Sequence, residues 1–131
     1  MTNIIMAALL FALQGAETKL AQHPHRGDHG QSHGILQIQR RVLKDVNRVY
    51  HTHYTVQDTL KPAVAREICS KYLVYWGAQY TAETGKQPTY EVLARIWNGG
   101  PHGWRHRRTK RYWSHRVRPY LRLFDHQVDV R

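Results

Sequence analysis

Apolar residues recur at intervals of about one helical turn through most of this 131-residue chain, which restricts it to a mainly helical fold. One stretch starts at Ile38 and continues through Val42 and Val46, with charged residues between them. Similar stretches cover 65–76 and 90–97, and no convincing pair of strands is found. We therefore predict an all-α domain, or an α domain with one small β hairpin or loop.

Start and stop residues predict the helix boundaries. Asp58 or Thr59 can cap a helix that has Pro62 in its first turn and ends before Gly85. A shorter helix is predicted to start at Pro88 and Thr89 and to end at 98–101. Thr109 is predicted to cap a last helix, which ends or kinks at Pro119.

The chain is long enough for one hydrophobic core and too short for two ordinary domains. We predict a single domain over 1–131, with 124–131 as a polar C-terminal tail. The glycines and polar residues of 23–34 predict a loop or at most a short hairpin.

The charge of the chain is strongly positive, because 20 lysines and arginines accompany nine acidic residues, for a formal charge of +11. Such a charge favours an anionic polymer as partner: nucleic acid, an anionic membrane surface or bacterial wall. The charge does not choose among the three.

The N-terminal apolar run, 4–13, has two interpretations. It resembles the core of a signal peptide, although no positive residues precede it. It also fits a buried first helix that ends at Glu17, which we favour. The run is too short to span a membrane, so no transmembrane segment is predicted.

Cysteine and histidine do not predict a cofactor. Cys69 is the only cysteine, so no internal disulfide can form, and its apolar neighbours predict a buried structural thiol. Four histidines lie close together, at positions 23, 25, 29 and 33, but their spacing fits no common zinc site. We therefore predict neither a metal nor another cofactor.

Glu17 is the carboxylate best placed for catalysis. Most of the other acidic residues lie on predicted helix surfaces or in the tail, and Glu83 lies in a predicted loop. Glu17 directly follows the apolar run, where desolvation would raise its pKa and let it hold a proton. Local sequence alone also fits an exposed residue at the end of a helix.

Four segments occur in the order of known motifs: ALQGAET at 12–18, GILQI at 34–38, ARIWNGGP at 94–101 and YWSHRV at 112–117. In these segments the chain resembles the lysozyme superfamily, above all invertebrate-type lysozymes, and also the catalytic domain of soluble lytic transglycosylases. The resemblance covers nearly the whole chain and implies a single lysozyme-like domain. Thr18 stands where these families usually have Ser, and the absence of disulfides suggests a bacterial or phage relative.

The resemblance implies roles by position. Glu17 would be the catalytic acid, Gln37 would flank the cleft, Asn98 would bind sugar, and Tyr112 would line the cleft near Glu17. Asp28 falls near the second carboxylate of invertebrate-type lysozymes, and is either catalytic or an ordinary turn residue.

Two neighbours of Asn98 are further candidates for substrate binding. Gly99 would let the backbone approach a sugar closely, although Asn-Gly-Gly-Pro is also a common helix stop. Trp97 is either a sugar platform or a core residue at helical spacing.

The resemblance implies a peptidoglycan glycosidase that cleaves the β-1,4 bond between N-acetylmuramic acid and N-acetylglucosamine. Its partners would be peptidoglycan and anionic wall polymers, and it would act as a monomer outside the cytoplasm or be delivered by a phage. Hydrolysis would use Glu17 with Asp28, whereas a lytic transglycosylase would form a 1,6-anhydromuramyl product instead.

A different class of function fits the C-terminal third. Eight lysines and arginines between 101 and 124 alternate with aromatic residues, and the stretch contains no acidic residue. This pattern also suits nucleic acid. The alternative hypothesis is a non-catalytic helical module that binds DNA or RNA.

Overall fold

The computed structural model describes residues 4–21, 26–27 and 30–129. It confirms the predicted fold class, because helices form the domain and three two-residue strands form one small antiparallel sheet. The helices are α1 (Met6–Thr18), α2 (Arg40–Tyr50), α3 (Val56–Thr59), α4 (Pro62–Thr84), α5 (Tyr90–Gly99), α6 (Arg107–Arg111) and α7 (Arg118–Asp129). The strands pair in the order β1 (Arg26–Gly27), β2 (Ser32–His33) and β3 (Ile38–Gln39). Within the described ranges, no helix is both long enough and apolar enough to cross a membrane.

Helix α1 is a core helix, as we favoured for the N-terminal apolar run. Ala8, Leu9, Ala12 and Leu13 are all buried in the same core as residues from α2, α4 and α5. Cys69 on α4 is a fully buried free thiol, as predicted, and burial raises its pKa well above the usual range.

Helix α7 packs against α1 at very short range. A Cβ atom on Gly15 would lie 2.3 Å from the ring of Tyr120, so only glycine allows this approach. Phe124 packs against Phe11, with 5.6 Å between the ring centroids. Helix α7 continues to Asp129, so 124–129, which we predicted as part of a polar tail, are helical.

Helices α3 and α4 begin differently from the prediction. Thr55 caps α3 in a capping box. Its hydroxyl accepts from the Asp58 backbone N–H, and the Asp58 carboxylate accepts from the Thr55 backbone N–H. Lys61 precedes α4 without a side-chain cap, and Pro62 is the first residue, as predicted. The helix ends at Thr84 before Gly85, also as predicted.

Glu83 belongs to α4, not to a loop as predicted. Its carboxylate pairs with Arg105 and lies 3.5 Å from His102. Tyr80 on the same helix meets Trp104 edge to face, with 5.0 Å between the centroids. These contacts attach the short 3₁₀ turn at Gly103–Arg105 to the end of α4.

A buried arginine organises the segment after α5. Arg95 is 7% exposed and donates to the Thr109 hydroxyl at 2.9 Å, to Glu91 at 2.9 Å and to the His106 carbonyl at 3.0 Å. The Thr109 hydroxyl in turn lies 2.6 Å from the Gly103 carbonyl. Thr109 is therefore a buried residue inside α6, whereas we predicted it as the cap of a helix.

The chain passes from α6 to α7 through one π turn, Tyr112–Val117. The Arg118 N–H donates to the Trp113 carbonyl, five residues earlier, where an α-helix would use the fourth. Pro119 follows soon after the π turn and does not end the helix, which continues to Asp129.

Candidate functional site

A cleft of about 320 Å³ lies between the C-terminal end of α1, the β3–α2 segment and the C-terminal end of α5. Polar side chains form most of its wall. Its lining residues are Glu17, Gln37, Gln39, Arg41, Val42, Trp97, Asn98 and Arg116.

Glu17 is held at the mouth of this cleft by the end of α1. The helix terminates where Lys19 adopts a left-handed conformation, with φ 54°, and its N–H donates to the Gly15 carbonyl at 2.9 Å. The Thr18 hydroxyl lies 3.1 Å from the Gln14 carbonyl and 2.9 Å from the Ile35 carbonyl, which ties α1 to the segment after β2. Thr18 thus makes contacts that a serine hydroxyl could also make.

Tyr112 contacts the Glu17 carboxyl directly. Its hydroxyl donates to Oε2 of Glu17 at 2.5 Å, although the two residues are 95 positions apart. Tyr112 is buried, and burial followed by the negative charge of Glu17 raises the pKa of the phenol well above its usual range. Tyr112 therefore stays protonated and remains a hydrogen-bond donor to Glu17.

Gln37 lies across the cleft in a left-handed conformation, with φ 51°. Its side-chain amide donates to the Gly34 carbonyl at 2.9 Å, and its backbone N–H donates to the same oxygen at 3.1 Å. Gly34 has φ 77°, and a Cβ atom there would lie 2.1 Å from the Thr59 carbonyl oxygen. The tight turn and its contact with α3 fix the position of Gln37.

The three candidates at the end of α5 differ in placement. Asn98 is exposed and lines the cleft. Trp97 also lines it but is only 5% exposed, and its ring packs edge to face on Tyr72 with 5.7 Å between the centroids. Gly99 is a described residue but is not one of those that line the cleft. A Cβ atom there would lie 2.7 Å from the Thr109 side chain, so Gly99 permits close packing against α6.

Two arginines in the cleft were missed by the sequence analysis. Arg41 donates to the Tyr72 hydroxyl at 3.0 Å and to the Gln39 amide oxygen at 2.8 Å. Arg116 donates to the Ala16 carbonyl, one residue before the proposed acid. Arg41 resembled an ordinary helix-surface cation in the sequence. Arg116 belonged to the YWSHRV motif, which was the only clue to its place.

Asp28, the predicted second carboxylate, lies outside the described residues, as do His23, His25 and His29. Glu17 is the one acidic residue among the described side chains that line the cleft. His33 is described and is buried in β2. In the described ranges, no three histidine, cysteine or acidic side chains converge as a metal site would require.

Fold and site together define a small helical domain with a carboxyl group in a polar cleft that two arginines also line. No protein-family model, curated protein or solved structure matches the chain.

Proposed function

We propose that this protein is a peptidoglycan glycosidase that cleaves the β-1,4 bond between N-acetylmuramic acid and N-acetylglucosamine. Glu17 donates a proton to the leaving oxygen as the bond breaks and an oxocarbenium-like centre develops on the sugar. The observation that carries the proposal is the contact between the Glu17 carboxyl and the buried Tyr112 hydroxyl at the edge of the cleft.

The cleft has a chemistry suited to an amide-bearing sugar chain. The exposed Asn98 side chain has both a donor and an acceptor, which N-acetyl groups and sugar hydroxyls require, and the Gln37 amide lines the same cleft. Arg41 and Arg116 add donors on two sides of the cleft. Tyr112 is a positioning residue, since its hydroxyl holds the carboxyl of Glu17 in one orientation.

Two reaction outcomes follow from one acid. In hydrolysis, Asp28 stabilises or captures the sugar cation, water attacks, and the product has a reducing end. In transglycosylation, the 6-hydroxyl of the muramic acid attacks its own anomeric carbon and gives its proton to the Glu17 carboxylate, and a 1,6-anhydro end forms. The resemblance to invertebrate-type lysozymes favours the first outcome, and the resemblance to soluble lytic transglycosylases favours the second.

The first experiment compares Glu17→Gln with the parent in the clearing of a suspension of purified wall. We expect Glu17→Gln to lose nearly all activity, because it keeps the shape of the side chain and removes the transferable proton. Glu67→Gln is the matched control, since that glutamate is exposed on α4 away from the cleft. If folded Glu17→Gln clears wall as fast as the parent, Glu17 is not the acid.

Product mass then separates the two outcomes, since anhydro and reducing ends differ by one water. Asp28→Asn is tested in the same assay. A hydrolase that depends on Asp28 should lose most of its rate, whereas a transglycosylase that needs only Glu17 should keep most of it and release anhydro ends.

Nucleic-acid binding is the second candidate, supported by the exposure of the C-terminal arginines. Seven arginines from position 105 onward are exposed: Arg105, Arg107, Arg108, Arg111, Arg116, Arg118 and Arg122. Such a surface also attracts phosphates of DNA or RNA, with an affinity that falls steeply as salt rises. Strong binding to nucleic acid, with neither binding to wall nor cleavage of it, would establish this candidate in place of the glycosidase.

A further inference from the structure

A second hollow of about 430 Å³ adjoins the cleft, and the two share Asn98 and Arg116 as lining residues. The other side chains around it are Arg108, Arg111, Tyr112 and His115. No acidic side chain is among its described lining residues. We call this space the basic hollow, because three arginines and a histidine surround it.

The π turn explains why these cations share one side of the chain. In a π turn, residues five apart lie one above the other, because each hydrogen bond spans five residues. Tyr112 and Val117 accordingly are both buried, while Arg111 and Arg116 are both exposed. Arg108 precedes Arg111 by three residues on α6 and therefore lies on the same face.

Arg116 connects the basic hollow to the catalytic end of the cleft. Its guanidinium donates to the Ala16 carbonyl and lies 5.5 Å from the centre of the Tyr112 ring. These two contacts hold the side chain beside Glu17, so less conformational freedom is lost when a ligand binds.

We propose that the basic hollow is an anion subsite, which binds a carboxylate or phosphate group attached to the glycan strand lying in the cleft. Guanidinium groups bind both kinds of oxyanion through paired N–H donors. The wall offers two sources: the carboxylates of its peptides and lactyl groups, and the phosphodiesters of attached anionic polymers. The identity of the ligand rests on the proposed function, whereas anion binding in the hollow does not.

The test compares two double variants that each remove two positive charges from exposed arginines. Arg108→Gln with Arg111→Gln alters the hollow, and Arg118→Gln with Arg122→Gln is the control on α7, outside the hollow. Both are made in the Glu17→Gln background, so that the wall stays intact while binding is measured by sedimentation. We expect the hollow pair to raise the Kd for wall roughly tenfold, about 1.4 kcal/mol, and the control pair to have a much smaller effect.

Two treated walls identify the source of the anion. If the difference between the two double variants disappears on wall stripped of phosphate polymers, the ligand is a phosphodiester. If it disappears on wall with amidated carboxylates, the ligand is a carboxylate. Equal weakening by both double variants would show diffuse attraction and overturn the subsite. Weaker binding of the hollow pair to duplex DNA, with unchanged binding to wall, would overturn the assignment of its ligand to the wall.

The two proposals fail separately. If the parent protein does not cleave wall but the hollow pair still weakens binding selectively, the anion subsite stands and the glycosidase is refuted. If the parent cleaves wall and the two pairs bind it equally, the subsite is refuted and the glycosidase stands. Circular dichroism confirms that each variant is folded.

Discussion

Replacing Tyr112 with Phe removes the hydroxyl that donates to Glu17 at 2.5 Å and leaves the aromatic ring in the core. A hydrogen bond to a charged group contributes about 1.5–3 kcal/mol. We expect the lower end, near 1.5 kcal/mol, because Glu17 is only partly buried and water can replace the lost donor. Urea unfolding at a pH where Glu17 is ionised measures this as a decrease in midpoint of roughly 0.5–1.5 M.

A double-mutant cycle with Glu17→Gln isolates the charged part of this contact. When Glu17→Gln is already present, the hydroxyl meets a neutral acceptor, so Tyr112→Phe should cost about 1 kcal/mol less than in the parent. Tyr50→Phe is the control, because that hydroxyl donates to the Lys71 backbone carbonyl at 2.9 Å and should show no coupling to Glu17. A coupling energy of zero for Tyr112 would refute its contact with the carboxylate.

Two further predictions concern stability. Gly15→Ala should destabilise the protein by about 1–2 kcal/mol, because the clash with Tyr120 exceeds the gain in helix propensity; an unchanged urea midpoint would contradict the close packing of α1 on α7. The fold raises the pKa values of Cys69 and Tyr112 above their ordinary 9.0 and 10.0, so the unfolded chain releases those protons first. The free energy of unfolding should therefore fall above pH 9 by up to about 1.4 kcal/mol per pH unit for each group, and Tyr112→Phe should flatten the decline above pH 10.

The local sequence predicted those features that depend on neighbouring residues. Gly85 and the 98–101 stretch end their helices because glycine adopts a left-handed or extended conformation that other residues avoid, with φ 74° at Gly85 and 92° at Gly100. Pro62 begins α4, a start that also depends only on local sequence. The burial of Cys69 followed from its apolar neighbours.

Features that depend on distant residues were not predictable in this way. Phe124 lies in a polar stretch, and only its contact with Phe11 explains why the helix continues through it. Arg95 resembles a surface cation until the carbonyl of His106 and the hydroxyl of Thr109 are seen around it. The contact of Tyr112 with Glu17 joins opposite ends of the chain, and only the order of the motifs suggested it.

The ARIWNGGP stretch shows how a specific motif can carry structure and chemistry together. Arg95 and Gly99 stabilise the segment between α5 and α6, and Trp97 and Asn98 line the cleft.

The π turn also fixes the rotational phase of everything that follows it. Its wider hydrogen-bonded loop accommodates one residue more than an α-helical turn, so deleting any single residue from 112–117 would let the chain run on as a regular helix. Each residue of an α-helix advances the rotation by roughly 100°. If all of 112–117 instead formed a regular α-helix, the extra residue would rotate α7 and swing Tyr120 away from Gly15 without changing a single side chain of α7. The π turn between Tyr112 and Tyr120 is therefore as much a determinant of the fold as the identity of either residue.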